Sequence, residues 1–381
     1  MQELFRAAVE RGASDIHIKA GDYIRARVNG DLQALTQQKL TVDQVKGIAL
    51  QLIPHEEDRQ NFERLLDYDC SWGIPGVGRF RVNIMKQRGS PMIVMRAIPI
   101  EIPTVEDLGL PPVINRIAAT RRGMILVTGI TGSGKSSTMA AMINWMNMNR
   151  RLHIVTLENP IEFLHRDNMS SITQRDIGTD TESFETGLRS VLRQDPDVIL
   201  IGEMRDKVTI ETALKAAETG HLVISTLHTK NAVQTISRII AVFDPAEQEM
   251  IRIRLSESLQ AVISQRLVQR RNGGRVAAME IMPVTSTIRD CIRDPHRMEE
   301  ISDLIEEGRE HYGSQTFDQH LMELVQTKQV DFELAKAAAN NPADFDLKMN
   351  MLGDPTQGRD YGRSVPGTAG LQDEMTRIAG G

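Results

Sequence analysis

The chain has 381 residues, of which 40% are hydrophobic and 25% charged, with a net charge of −6 and a pI of about 5.9. This is the composition of a globular protein of two or three domains, and the acidic balance argues against a protein whose main task is gripping nucleic-acid phosphates. Cys70 and Cys291 alone make neither a disulfide framework nor a four-cysteine zinc site. No run reaches the ~20 apolar residues of a membrane span, and Met1–Gly12 lacks a signal peptide's apolar core, so a cytoplasmic protein is expected.

Residues 1–97 read as a small α+β domain. An amphipathic helix bearing Leu4, Phe5, Ala8 and Val9 leads into the alternating strand Ser14–Ile18. Then come Ile24–Val28, a turn at Asn29-Gly30, a helix near Val42–Ile53, and the strands Gly78–Met85 and Pro91–Ala97. Residues 98–103, with two prolines among short apolar residues, read as an extended linker. Across residues 104–284 short apolar runs recur at Met124–Val127, Ile154–Leu157, Val198–Ile201 and Leu222–Thr226, each a helix length or more apart. That spacing predicts α/β alternation around a largely parallel sheet. Residues 285–352 read as helical. The glycine-rich tail 353–381 has too few bulky apolar side chains to offset its ordering entropy and is expected to be disordered.

The chemistry concentrates at Gly129-Ile130-Thr131-Gly132-Ser133-Gly134-Lys135-Ser136, a complete G-x-x-x-x-G-K-[ST] phosphate loop. It follows a strand and precedes a predicted helix from Lys135 to about Asn149, the only context in which the motif works. Its glycines let backbone N–H groups turn inward around a phosphate, and the helix N-terminus adds positive dipole. Lys135 reaches the β/γ-phosphates and the Ser136 hydroxyl can ligate Mg²⁺. Thr131, Gly132, Ser133, Gly134, Lys135, Ser136 and Ser137 form the expected ATP-binding set.

Carboxylates follow at strand ends. Val198–Ile201 runs through Gly202 to Glu203, placed to polarise an attacking water. The strand Ile154–Leu157 ends in Glu158-Asn159-Pro160-Ile161-Glu162, where Glu158 and Glu162 suit a Mg²⁺ relay through water. Glu162 reads equally well as an exposed acidic turn opened by Asn-Pro. His221 and His228 flank the Leu222–Thr226 strand. His228 is the better phosphate sensor, and His221 divides evenly between sensing and structure. Arg79, Arg81 and Arg96 alternate along strands, either as a solvated face or as arginine fingers reaching a neighbouring subunit's triphosphate. Arg189, Arg193 and Arg205 serve either the nucleotide or a subunit interface.

Together, the phosphate loop, Leu157–Phe163, Asp195–Asp206 and Glu218–His228 resemble the secretion-type ATPases, as their phosphate loop, acidic box, Walker B strand and histidine box. Among these, the type IV pilus retraction ATPases are most similar, over about residues 1–352. Assembly-type members usually carry paired C-x-x-C zinc modules, and this chain has no C-x-x-C. Thr287–Asp294 resembles the retraction motif A-I-R-N-L-I-R-E, keeping both isoleucines and both arginines. The acidic box departs from the usual E-D-P-I-E at Asn159.

The resemblance implies an N-terminal PAS-like α+β domain, a RecA-like P-loop ATPase core and a C-terminal helical region. It implies a homohexamer at the cytoplasmic face of the inner membrane, hydrolysing ATP with Mg²⁺ and turning a pilus platform protein. Arg81 and Arg96 then approach the nucleotide, and the 98–103 linker is the hinge. An accessory or assembly-type secretion ATPase, a RecA-like nucleic-acid motor and a non-hydrolysing ring scaffold are the alternative functions. No nucleic-acid partner is expected.

Overall fold

The computed structural model describes residues 2–352 apart from residues 29, 75–76 and 99–100. Asn29 of the predicted turn, part of the 98–103 linker and the 353–381 tail therefore lie outside the described residues. The chain opens with α1 (Gln2–Glu10), β1 (Ala13–Lys19), β2 (Arg25–Val28) and β3 (Asp31–Ala34). After α2 (Val42–Leu52) and α3 (Glu56–Gln60) come β4 (Asp67–Ile74), β5 (Gly78–Gln87) and β6 (Ser90–Ala97). These strands form one antiparallel sheet in the order β3-β2-β1-β6-β5-β4. Helix α2 starts where the sequence signals it, because Thr41 and Gln44 cap each other reciprocally. Its buried Val45, Ile48, Ala49 and Leu52 share a core with Phe5 of α1 and with Phe80, Val82, Ile93 and Met95 of the sheet. Phe5 and Trp72 close that core edge-to-face, 5.7 Å between ring centroids.

A second sheet follows, entered through α4 (Val113–Ala118) and β7 (Gly123–Thr128). Next come α5 (Lys135–Asn149), β8 (His153–Glu158), β9 (Ser171–Asp176), α6 (Phe184–Val191), β10 (Val198–Ile201) and α7 (Lys207–Glu218). It is completed by β11 (Leu222–Leu227), α8 (Ala232–Ile240), α9 (Gln248–Ser258), β12 (Leu259–Gln269) and β13 (Arg275–Pro283). The order is β13-β12-β7-β11-β10-β8-β9, and every pairing is parallel except β12 with β13. Alternate residues of β7 enter two different cores: Met124 and Leu126 join one with α7, α8 and α9, while Ile125 and Val127 join the other with α4 and α5. Helices thus cover both faces, and β7, β10 and β11 are buried throughout, as a parallel sheet requires.

The remaining helices are α10 (Ser286–Arg293), α11 (Glu300–Glu307), α12 (Arg309–Tyr312), α13 (Phe317–Gln326), α14 (Phe332–Ala338) and α15 (Pro342–Leu352). Ile288, Cys291 and Ile292 of α10 extend the first of those two cores, and α13 and α15 pack Phe317, Leu321 and Phe345 against β12 and β13. The α/β class with a parallel-sheet core agrees with the sequence reading. No helix among the described residues is long and apolar enough to cross a membrane.

Glu280 of β13 is a buried carboxylate that accepts the Ala232 N–H at 2.8 Å, at the start of α8. Burial pushes its pKa up from 4.5 to about 7. The folded state then holds this proton more tightly than the unfolded chain, so the contribution of Glu280 becomes increasingly unfavourable as pH rises from about 4.5 to 7. Glu280→Gln keeps an acceptor oxygen without the charge. Its stability relative to wild type is expected to rise between pH 4 and pH 8 by an amount on the order of 3 kcal/mol, read from denaturant melts at each pH.

Candidate active site

The phosphate loop leaves β7 at Thr128, whose Oγ1 donates to Ser264 Oγ at 2.9 Å. Gly132 and Gly134 take positive φ (76° and 91°), and a Cβ at Gly134 would stand 3.0 Å from Gln265 Nε2. Only glycine meets both demands at position 134. Gln265, arriving from β12, donates from Nε2 to Ser133 O (2.7 Å) and accepts from Thr138 Oγ1 (2.9 Å). It clamps the loop to the first turn of α5. Sequence reasoning missed this residue, which stands in the mixed run Ser264-Gln265-Arg266 and carries no local signal of its role.

Lys135 is buried, and its Nζ donates to Gly129 O (2.9 Å) and Ile130 O (3.0 Å). Burial lowers its pKa, opposed by the charges of Glu162 and Glu203. The Ser133 hydroxyl is buried without a protein partner. An ammonium held by neutral carbonyls, beside an unspent hydroxyl at a helix N-terminus, suits an anionic ligand.

The loop faces a cleft of about 370 Å³ at the C-terminal edge of β8, β10 and β11. Thr131, Gly132, Lys135 and Ser136 line it from below; Glu158, Asn159 and Glu162 from β8 and its loop; Glu203, Arg205 and His228 from the neighbouring strand ends. Ser133, Gly134 and Ser137 belong to the same loop and helix turn without forming the cleft wall. Glu203 Oε2 lies 2.7 Å from Arg205 Nε and 3.6 Å from His228 Nε2.

Glu158 is partly buried, which raises its pKa against the hydrogen bonds it accepts from Thr156 Oγ1 (2.7 Å), Gln174 Nε2 (3.1 Å) and the Glu162 N–H (3.4 Å). Its oxygens are thus largely committed to the protein.

The three candidate fingers separate. Arg81 and Arg96 are cross-strand neighbours on β5 and β6. Arg81 lines the cleft, whereas Arg96 bonds Asp15 at 2.9 Å, is 70% exposed and does not line it. Arg79 lies 2.9 Å from Asp176 at the end of β9, and Ser71 Oγ donates to the same carboxylate. Asp176, buried to 2% exposure, joins the first sheet to the second beside the acidic loop.

His221 stands at the entrance of β11, against Ala216 O (3.0 Å) and Thr219 Oγ1 (3.2 Å), at the opposite end of the strand from the cleft. Arg189 is exposed and pairs with Glu185. Neither Arg189 nor Arg193 reaches the cleft lining, while Arg205 does.

A phosphate loop opening α5, faced by strand-end carboxylates across a cleft, defines a P-loop ATPase built on a parallel sheet. The chain belongs to the family of type II/IV secretion system proteins, which it matches over residues 1–331. It is 44% identical over 343 residues to the type IV pilus retraction ATPase PilT of Pseudomonas aeruginosa, covering 90% of this chain and 99% of that one. A twitching motility protein of Neisseria gonorrhoeae is 43% identical over 335 residues, 86% of this chain and 89% of its own. The crystal structure of the pilus retraction motor PilT with bound ADP superimposes with a TM-score of 0.83 at 42% identity, covering 92% of this chain and 99% of that chain.

Proposed function

We propose that this chain is a motor ATPase of type IV pilus retraction. It works as a homohexamer on the cytoplasmic side of the inner membrane, against a platform protein of the pilus machine. Similarity to the Pseudomonas retraction ATPase along 99% of that protein's length supports the pilus role. The observation that carries the motor reading is Arg81 of the first sheet lining the same cleft as Lys135 of the second. A triphosphate there touches both bodies, so its cleavage changes their relative position.

In this reading Thr131 to Ser137 cradle the phosphates, with Lys135 exchanging its loop carbonyls for phosphate oxygens. Glu203 orients the attacking water, His228 reads the γ-phosphate, and Arg81 neutralises charge developing in transfer. Arg96 serves the neighbouring subunit. The residues fit Mg²⁺ as a nucleotide-borne ion. Among the described residues no cluster of three or more His, Cys, Asp or Glu could hold a metal by itself. Ser136 would bind it directly, with Glu158 and Glu162 through water, and when bound it would screen the phosphate charge.

The test is a gene deletion in the host, complemented with wild type or with Glu203→Gln. Wild type restores twitching, whereas Glu203→Gln leaves cells hyperpiliated and non-motile; unchanged motility and pilus number after deletion would overturn the role.

The two arginines of the Thr287–Asp294 segment also bind the neighbouring helix end. Arg289 Nη1 donates to Ser256 O (2.7 Å) and Glu257 O (3.0 Å), and Arg293 Nε donates to Ser256 Oγ (3.0 Å). Both arginines tie down the C-terminal end of α9, a stabilising use of cations there. The double change Arg289→Ala and Arg293→Ala is therefore expected to lower the melting temperature as well as abolish retraction in cells. Basal ATPase activity should stay within about a few-fold, because neither residue reaches the cleft.

A further inference from the structure

We infer that Gln174, in the edge strand β9, is a positioning residue for turnover: it fixes the Glu158 carboxylate and the loop that follows it in one arrangement facing the phosphate loop. The inference rests on the reading above that Glu158 acts on the bound nucleotide.

Gln174 lies opposite Thr156 of β8 in the parallel register. Its Nε2 donates to Glu158 Oε1 (3.1 Å) and to Phe163 O (2.9 Å), while its Oε1 accepts the His165 N–H (2.8 Å). One amide thus holds three points of the segment 158–165, which is neither helix nor strand beyond Glu158. Backbone groups at 163 and 165, without a ladder of their own, find their partners in this single side chain. A carboxylate would have no donors for Glu158 and Phe163, and an ammonium no acceptor for His165. The demand is for glutamine's particular combination of groups at this length.

Glu158, Asn159, Glu162, Phe163 and His165 all line the cleft, and Gln174 itself does not. It stands behind the wall and sets where the wall is. Thr156 supplies a second hydrogen bond to the same Glu158 oxygen, so removing Gln174 frees the loop more than the carboxylate's own strand. Chemistry sensitive to displacements of about 1 Å then loses rate while phosphate binding, governed by Lys135 and its loop, persists.

The experiment uses the full-length chain with ATP and Mg²⁺. Gln174→Leu keeps the size and removes donors and acceptor, and Gln174→Glu keeps the acceptor for His165 while removing both donors. Each is expected to lower kcat at least about tenfold with KM for ATP within about threefold. In a Glu158→Gln background, adding Gln174→Leu should cost no more than about twofold further, because both changes disable one unit.

Turnover within about twofold of wild type in both single variants overturns the inference, as does a loss that multiplies fully onto Glu158→Gln. A rise in KM with kcat unchanged also overturns it, by assigning Gln174 to binding. If Gln174→Leu does not fold, the Gln174→Glu variant decides alone. Wild-type turnover in Glu158→Gln instead sinks the underlying reading of Glu158, whereas an impaired Glu158→Gln beside normal Gln174 variants sinks only this inference.

Discussion

Glu203→Gln lowers kcat by at least about 10² while nucleotide affinity stays within a few-fold. Two carboxylates compete for the water-orienting role, and their surroundings separate them. Glu158 accepts from Thr156 and Gln174 at Oε1 and from the Glu162 backbone at Oε2, which leaves one Oε2 lone pair, enough for a metal-bound water but not for an attacking water as well. Among the described residues the Glu203 carboxylate pairs with Arg205 at 2.7 Å and His228 at 3.6 Å, and it opens on the cleft. Glutamine preserves its length and one acceptor oxygen but loses the negative charge that aligns the water. Single-turnover hydrolysis and fluorescent-nucleotide titration, run side by side, give the two halves of the result. Near-normal turnover with intact binding would transfer the role to Glu158.

Arg81→Ala should cost still more, about 10³ in kcat, the lower end of what isolated arginine fingers contribute. Arg81 lies in the cleft of its own chain, whereas Arg96 points its guanidinium at Asp15. Mixed rings distinguish the two routes. Rings of Arg81→Ala with Glu203→Gln subunits should recover nothing, because every site lacks one of its own groups. Rings of Arg96→Ala with Glu203→Gln should regain activity, since some intact sites then receive Arg96 from a neighbour. Recovery in the first mixture, or none in the second, would reverse the assignment of the two arginines.

The centre of the second sheet was legible because each part carries a local signal. Strands β7, β10 and β11 are buried on both faces and so read as unbroken apolar runs, and α5 begins and ends at Lys135 and Asn149, as its pattern implies. The strands not anticipated are β3, β4, β9, β12 and β13, and β9 and β12 show why. The sequence of β9, Ser-Ile-Thr-Gln-Arg-Asp, is polar, and pairing with β8 makes it a strand. Strand β12 begins at Leu259 directly after α9 ends at Ser258, with no glycine or proline between them to mark a break.

Candidate residues divide the same way. Lys135 could be placed by the phosphate-loop motif that opens α5, and Glu203 and His228 because each follows the end of a strand that runs to the cleft. The partnership of Arg96 with Asp15, or the grip of Gln265 on Ser133, joins residues far apart in sequence, and no local pattern encodes it. His221 stayed undecided in the sequence because proximity to a strand does not reveal which end of it faces the cleft.

Asp176 bears on how such a machine tolerates load. Its side chain is 3% exposed and bound to Arg79 and Ser71, so parting the first sheet from the second takes both partners from one carboxylate as water enters. Arg79 is itself 24% exposed, so the pair is worth less than the roughly 3–5 kcal/mol of a fully buried one, though more than a surface pair's ~1 kcal/mol or less. Any separation of the two sheets beside the acidic loop has to break this ion pair and this hydrogen bond first.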